Sequence, residues 1–186
     1  TLEHISTGEF RMNIAQAFLA MDACFAADLT PHFIGLHGIG KSAIVYQYAN
    51  KRDYDVVEIR VGLMADAGDL VGIQEFIKCL KTGEPLSTRH VLPDWFMKTV
   101  AQIEAAAGMQ RRVIIFIDEL NRGHKLLQAG TMELVQFKQM NGRPFPKLRV
   151  VWAAVNPVNE DDTDAANFYS TEPMDPAQLD RFHIRV

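Results

Sequence analysis

Gly35 to Ser42 reads GLHGIGKS, and this one stretch limits what the chain can become. It fits G-x-x-x-x-G-K-[ST], in which glycines let the backbone curl so that successive N–H groups face an anion. Lys41 adds a compact charge able to reach β- and γ-phosphates, and the Ser42 hydroxyl is a hard oxygen of the kind Mg²⁺ takes. With Gly at about 7% of residues, a chain of this length meets the pattern by chance on the order of once in a hundred, so its surroundings decide the reading. His32 to Leu36 (HFIGL) is an apolar run suited to a buried parallel strand. Ser42 to Asn50 (SAIVYQYAN) opens a helix whose N-terminal dipole would face the phosphates.

A second signal lies at Arg112 to Glu119, RVIIFIDE: a continuous apolar strand that ends in two carboxylates. That pattern predicts a central parallel strand whose carboxyl end enters a crevice. Asp118 would hold Mg²⁺, and Glu119 would orient and polarise a water attacking the γ-phosphate. Adjacent strand residues point to opposite faces, so both can serve one site only where the strand is turning into a loop. Leu148 to Val155 (LRVVWAAV) predicts a further strand, ending at Asn156-Pro157. The Asn156 amide either belongs to a turn or contacts the attacking water or γ-phosphate without adding negative charge. Arg181 either pairs on its own surface with Asp180 or Glu172, or reaches a neighbouring subunit's γ-phosphate.

Elsewhere, apolar spacing predicts helices over Arg11 to Asp28, Pro93 to Ala107 and Gly123 to Met140, a short helix at Pro176 to Arg181, and strands at Tyr54 to Val61 and Phe182 to Val186. The strand at His32, the helix after it and the strand at Tyr54 make a βαβ unit. Gly62 to Leu86 reads as an excursion with a small hairpin, whose Asp66 and Asp69 could be a metal site, although paired acids in such a loop are usually just solvated. Asn141-Gly142 marks a turn, and Glu160 to Asp164 an exposed acidic loop.

At 186 residues and 48% hydrophobic composition, the chain is expected to form one compact domain. A net charge of −4 with no strongly basic stretch disfavours extensive nonspecific contact with a phosphate backbone. Cys24 and Cys79 have neither disulfide-framework nor zinc spacing, which points to a reducing, cytoplasmic setting. No run is apolar enough for a membrane span, and TLEHISTGEF lacks the layout of a signal peptide, so no membrane association is expected.

GLHGIGKS, VIIFIDELNR, VVWAAVNP and MDPAQLDRF, in that order, resemble the motifs of AAA+ ATPases, particularly the MoxR-like and dynein-related branch. The resemblance spans about 150 residues, from the phosphate loop onward. It implies an α/β fold: a three-layer αβα P-loop NTPase core with a mainly parallel central sheet, the AAA+ large subdomain. Nucleotide contacts would come from Gly35, His37, Gly38, Ile39, Gly40, Lys41, Ser42 and Ala43, and the metal would be held by Ser42 and Asp118. The catalytic set would be Glu119, Lys41, Asn156 as sensor 1, and Arg181 as the arginine near a subunit boundary. Arg122 is a second candidate for the trans-acting arginine. ATP and Mg²⁺ are the implied ligands; adenine is favoured over guanine by family and by the lack of an Asn-Lys-x-Asp motif, with Ile5 to Phe10 the expected adenine segment.

The family forms rings, often hexameric, that couple hydrolysis to remodelling protein clients, and some members work with a separate von Willebrand A domain protein. His37 stands where proline is common in the family. The chain ends at Val186, just past the arginine motif, so the helical lid is expected outside it. The alternatives are a nucleic-acid motor or loader of the same class, which shares every motif named, and a non-catalytic nucleotide switch or scaffold, against which Glu119 argues. A small-molecule kinase would need an acceptor pocket, for which there is no signal.

Overall fold

The computed structural model describes residues 12–36, 38–156 and 172–186. The expected adenine segment at 5–10, His37 and the acidic stretch at 160–164 lie outside the described residues. In chain order the elements are α1 (Ile14–Ala26), β1 (Pro31–Ile34), α2 (Lys41–Lys51), β2 (Tyr54–Arg60), α3 (Ala67–Val71), β3 (Ile73–Lys78), β4 (Pro85–Val91), α4 (Asp94–Gly108), β5 (Arg112–Asp118), α5 (Lys125–Phe137), β6 (Gln139–Met140), β7 (Arg143–Pro144), β8 (Val150–Val155), α6 (Pro176–Leu179) and β9 (Ile184–Arg185).

Five strands form one parallel sheet in the order β2-β5-β8-β1-β9. The expected βαβ unit is present, but its two strands are not neighbours. After β1 the chain crosses to the far edge, then returns through β5 and β8 to fill the gap. Strand order depends on which strands pair across long separations, and local periodicity carries no record of that.

Alternation along the two central strands divides the core into two layers. Val113, Ile115 and Ile117 of β5 and Val151, Ala153 and Val155 of β8 pack with Phe96 and Ile103 of α4 and Leu127 and Leu134 of α5. Ile114, Phe116, Val150, Trp152 and Ala154 face the other way, onto Met21 and Phe25 of α1 and Val45 and Tyr48 of α2. Because both faces are covered, these strands read as continuous apolar runs. Each fully buried isoleucine contributes about 1.5–3 kcal/mol of transfer free energy.

Helix limits follow local chemistry. Asn13 and Gln16 form a reciprocal capping box that starts α1. Pro93 precedes α4 as its N-cap instead of sitting in the first turn. The helix expected to run to Met140 stops at Phe137, because Lys138 adopts a left-handed conformation (φ 54°) and β6 and β7 follow. Their Asn141-Gly142 turn has positive φ at both positions, which suits a tight hairpin, and the Glu133 carboxylate accepts from both turn N–H groups. The excursion after β2 holds α3 and the β3–β4 hairpin, which runs on to Val91, beyond the expected limit. Asp66 and Asp69 cap α3 reciprocally, so their placement is accounted for by helix initiation. Among the described residues no cluster of three or more His, Cys, Asp or Glu could hold a metal, and no helix is long and apolar enough to cross a membrane.

Candidate functional site

Register brings three strand ends together. Ile34 pairs with Val155 and Ile117 with Ala153, so the carboxyl ends of β1, β8 and β5 lie side by side. The loop from Gly35 follows β1 and Asn156 follows β8, while Asp118 closes β5 with Glu119 next after it. Ligands of open α/β sheets bind at this end of the strands, where successive connections diverge.

The loop has the backbone that its glycines permit. Gly38 and Gly40 have φ of 80° and 96°, a region in which a β-carbon costs about 1–2 kcal/mol. Gly40 caps α2, and the N–H groups of its first turn, at Lys41, Ser42 and Ala43, have no acceptor within the helix. The Ile39 side chain folds back over Gly35, where a β-carbon would meet Ile39 Cδ1 at 2.2 Å. Lys41 Nζ donates to the carbonyls of Gly35 (2.6 Å) and Leu36 (3.0 Å) and to Asn156 Oδ1 (2.8 Å). Burial lowers the Lys41 pKa, and the Asp118 and Glu119 carboxylates oppose that shift.

Ser42 Oγ donates to Asp118 Oδ2 at 2.5 Å, while Asp118 Oδ1 accepts from the Glu119 N–H at 2.9 Å. The strand ends at Asp118, and Glu119 takes a left-handed conformation (φ 53°, ψ 39°), which is the break in alternation that two neighbouring functional carboxylates require. Glu119 Oε1 pairs with Arg122 Nη1 of its own chain at 2.9 Å. Arg181 donates to Gln136 Oε1 (3.1 Å) and to the Ala177 carbonyl (2.8 Å), on α5 and α6. The acidic partners considered for it, Asp180 and Glu172, are not those acceptors.

Two residues of this region went unnoticed in the sequence. Gly62, after β2, lies against the Glu119 carboxylate: a β-carbon there would stand 3.0 Å from Glu119 Oε2 and 3.2 Å from Arg122 Cβ. Asn121, buried between Glu119 and Arg122, bonds the backbone of Asn156. An isolated glycine ending a strand was the only cue to the first. The second is a polar residue inside an otherwise explained motif, and nothing local marks it.

A protein from Cytophaga hutchinsonii classed as a candidate ATPase superposes on this chain with a TM-score of 0.55 at 22% identity, over 92% of this chain and 45% of that one. A RuvB variant from Thermotoga maritima does so with a TM-score of 0.52 at 12% identity, over 93% and 44%. The likeness is one of fold: an α/β core with a mainly parallel central sheet and flanking helices. This chain spans less than half the length of either neighbour. No family model matches the sequence, and no curated protein does.

The residues gathered at these strand ends fit Mg²⁺ and a nucleotide. Ser42 Oγ and the Asp118 carboxylate already converge and are hard oxygens, the ligands Mg²⁺ prefers. Asn156 Nδ2 is buried with no hydrogen-bond partner among the described residues, a donor that an incoming phosphate oxygen would satisfy. Lys41 can exchange the Gly35 and Leu36 carbonyls for phosphate oxygens by rotating its flexible stem.

Proposed function

We propose that this chain binds ATP with Mg²⁺ and hydrolyses the γ-phosphate bond as the core of a MoxR-like AAA+ ring ATPase that remodels protein clients. The observation carrying the reading is the Lys41–Asn156 contact beside the Ser42–Asp118 pair, with one buried amide donor left for a ligand. A bound Mg²⁺ would supply charge neutralisation to the phosphates, held by Ser42 and Asp118.

In this reading the first-turn N–H groups of α2 and the Lys41 ammonium bind the phosphates, the latter losing little solvation because it is already partly buried. Asn156 Nδ2 donates to the γ-phosphate or to the attacking water. Glu119 accepts that water's proton once its carboxylate turns from Arg122, and the proton rests on a carboxylate oxygen. Arg181 stabilises charge in a neighbouring subunit's site. The resemblance in ordered motifs supports the ring, the hexameric count, a client or von Willebrand A partner, and a cytoplasmic setting.

Calorimetric titration of Mg-ATP into the intact protein tests the reading. Saturable binding that is lost in Lys41→Ala is expected; equal affinity in the variant removes the phosphate-loop geometry. Strong stimulation of turnover by DNA or RNA would replace client remodelling with nucleic-acid translocation.

A further inference from the structure

Beyond the level of Ile117 and Ala153, β5 and β8 are no longer paired, so the backbone at Asn156 has no ladder partner on the β5 side. The Asn121 side chain takes that place. Its Nδ2 donates to the Asn156 carbonyl at 2.7 Å, and its Oδ1 accepts from the Asn156 N–H at 3.1 Å. Both residues are buried, at 2% and 6% exposure, so neither backbone group has water as an alternative. The Asn121 carbonyl in turn accepts from the Glu172 N–H at 2.8 Å, tying in the segment that leads to Arg181.

We propose that Asn121 is a positioning residue for γ-phosphate chemistry: its two-point clasp holds the backbone of Asn156 so that the Asn156 amide is fixed relative to Glu119, two residues before the clasp. The proposal rests on the ATPase reading above. A carboxamide is the side chain that offers one donor and one acceptor in a plane, at the spacing of one residue's backbone N–H and C=O. An aspartate in its place would keep the acceptor and set an oxygen against the Asn156 carbonyl; alanine would leave both backbone groups unpaired. On the other side, Asn156 Oδ1 is anchored by Lys41, which turns Nδ2 away from the lysine. The amide is therefore held by its backbone and by its own oxygen, and only the backbone hold comes from the turn that carries Glu119.

The test is a double-mutant cycle in the intact protein with Asn121→Ala and Asn156→Ala, reading kcat, ATP affinity and melting temperature. Asn121→Ala should lower kcat on the order of 100-fold, the loss that a displacement of about 1 Å brings, with ATP affinity unchanged within about twofold. In the Asn156→Ala background the same change should cost little, because no amide remains to be positioned. Losses that multiply, or a fall in affinity with kcat intact, overturn the proposal.

Hydrogen exchange at the Asn156 N–H of nucleotide-free protein gives a second readout. Protection is expected in the unaltered protein and its loss in Asn121→Ala; equal exchange in both overturns the clasp. Should Asn121→Ala fail to fold, Asn121→Asp serves the same cycle, since it retains volume and the acceptor. An unaltered protein that binds ATP but never turns it over sinks the ATPase reading and leaves the exchange result to judge the clasp.

Discussion

Lys41 Nζ lies 2.8 Å from Asn156 Oδ1, joining residues 115 positions apart across the gap between two strand ends. The contact sets which way the amide points: oxygen to the ammonium, and the NH₂ group into a buried space where no described residue accepts from it.

Asn156→Asp should keep the lysine contact, since a carboxylate oxygen accepts as well as an amide oxygen, while replacing the free donor with an acceptor that repels phosphate. Turnover is predicted to fall on the order of 100-fold or more, the scale for losing one preorganised donor. Lys41→Met should instead weaken ATP binding by at least about tenfold, given about 1.5–3 kcal/mol for a hydrogen bond to a charged group. Steady-state kinetics beside calorimetry separates the two effects.

Glu119→Gln should bind ATP and hydrolyse it about 100-fold or more slowly, as expected when a general base is removed. Gly62→Ala tests the same carboxylate from the other side. Its methyl group would stand 3.0 Å from Glu119 Oε2 and 3.2 Å from Arg122 Cβ, so the ion pair must shift. A lower kcat at unchanged ATP affinity is predicted; normal kinetics would show that the Glu119 carboxylate is placed without reference to Gly62.

The Arg122–Glu119 ion pair within one chain predicts how mixed assemblies behave. Subunits carrying Arg181→Ala, mixed with subunits carrying Glu119→Gln, should regain some activity if Arg181 acts across an interface, because some of the shared sites then combine an intact Glu119 with an intact Arg181. Arg122→Ala mixed with Glu119→Gln should regain none, since both residues serve the same subunit's site. The reverse pattern would make Arg122 the residue that acts in trans.

His32, 1% exposed in β1, stacks on Phe182 with ring centroids 4.5 Å apart, and its Nε2 has no partner among the described residues. Burial, reinforced by the Arg185 charge, lowers its pKa from 6.5 to about 4. The folded state therefore keeps the ring neutral between those values, while the unfolded chain takes up a proton. Its contribution is complete above about pH 6.5 and is lost as pH falls towards 4, a total of about 3 kcal/mol. Thermal midpoints followed from pH 7.5 to 4.5 should drop more steeply than those of His32→Phe; parallel curves would contradict this.

Legibility in the sequence followed the range of the interactions. The phosphate loop, the β5 strand with its acids and the strand before Asn156 are local patterns, and apolar runs with glycine or acid punctuation locate them to within a residue or two. The βαβ unit was legible as a unit, yet the insertion of β5 and β8 between its strands was not, because pairing partners leave no periodic trace. Helix ends were blurred where a left-handed residue stops the helix, as at Lys138, since lysine carries no warning of that conformation. Asn121 and Gly62 were missed for a related reason: each acts on a residue brought close only by the folded strand ends.

The central claim is that these converged residues hydrolyse ATP, and ATP turnover per subunit tests it most directly. It should be measured for the intact protein over a wide concentration range, with and without Mg²⁺ and with GTP in parallel. Mg²⁺-dependent, ATP-selective turnover whose specific activity rises with concentration is predicted. Negligible turnover at every concentration despite tight ATP binding would contradict it and leave a nucleotide switch in its place.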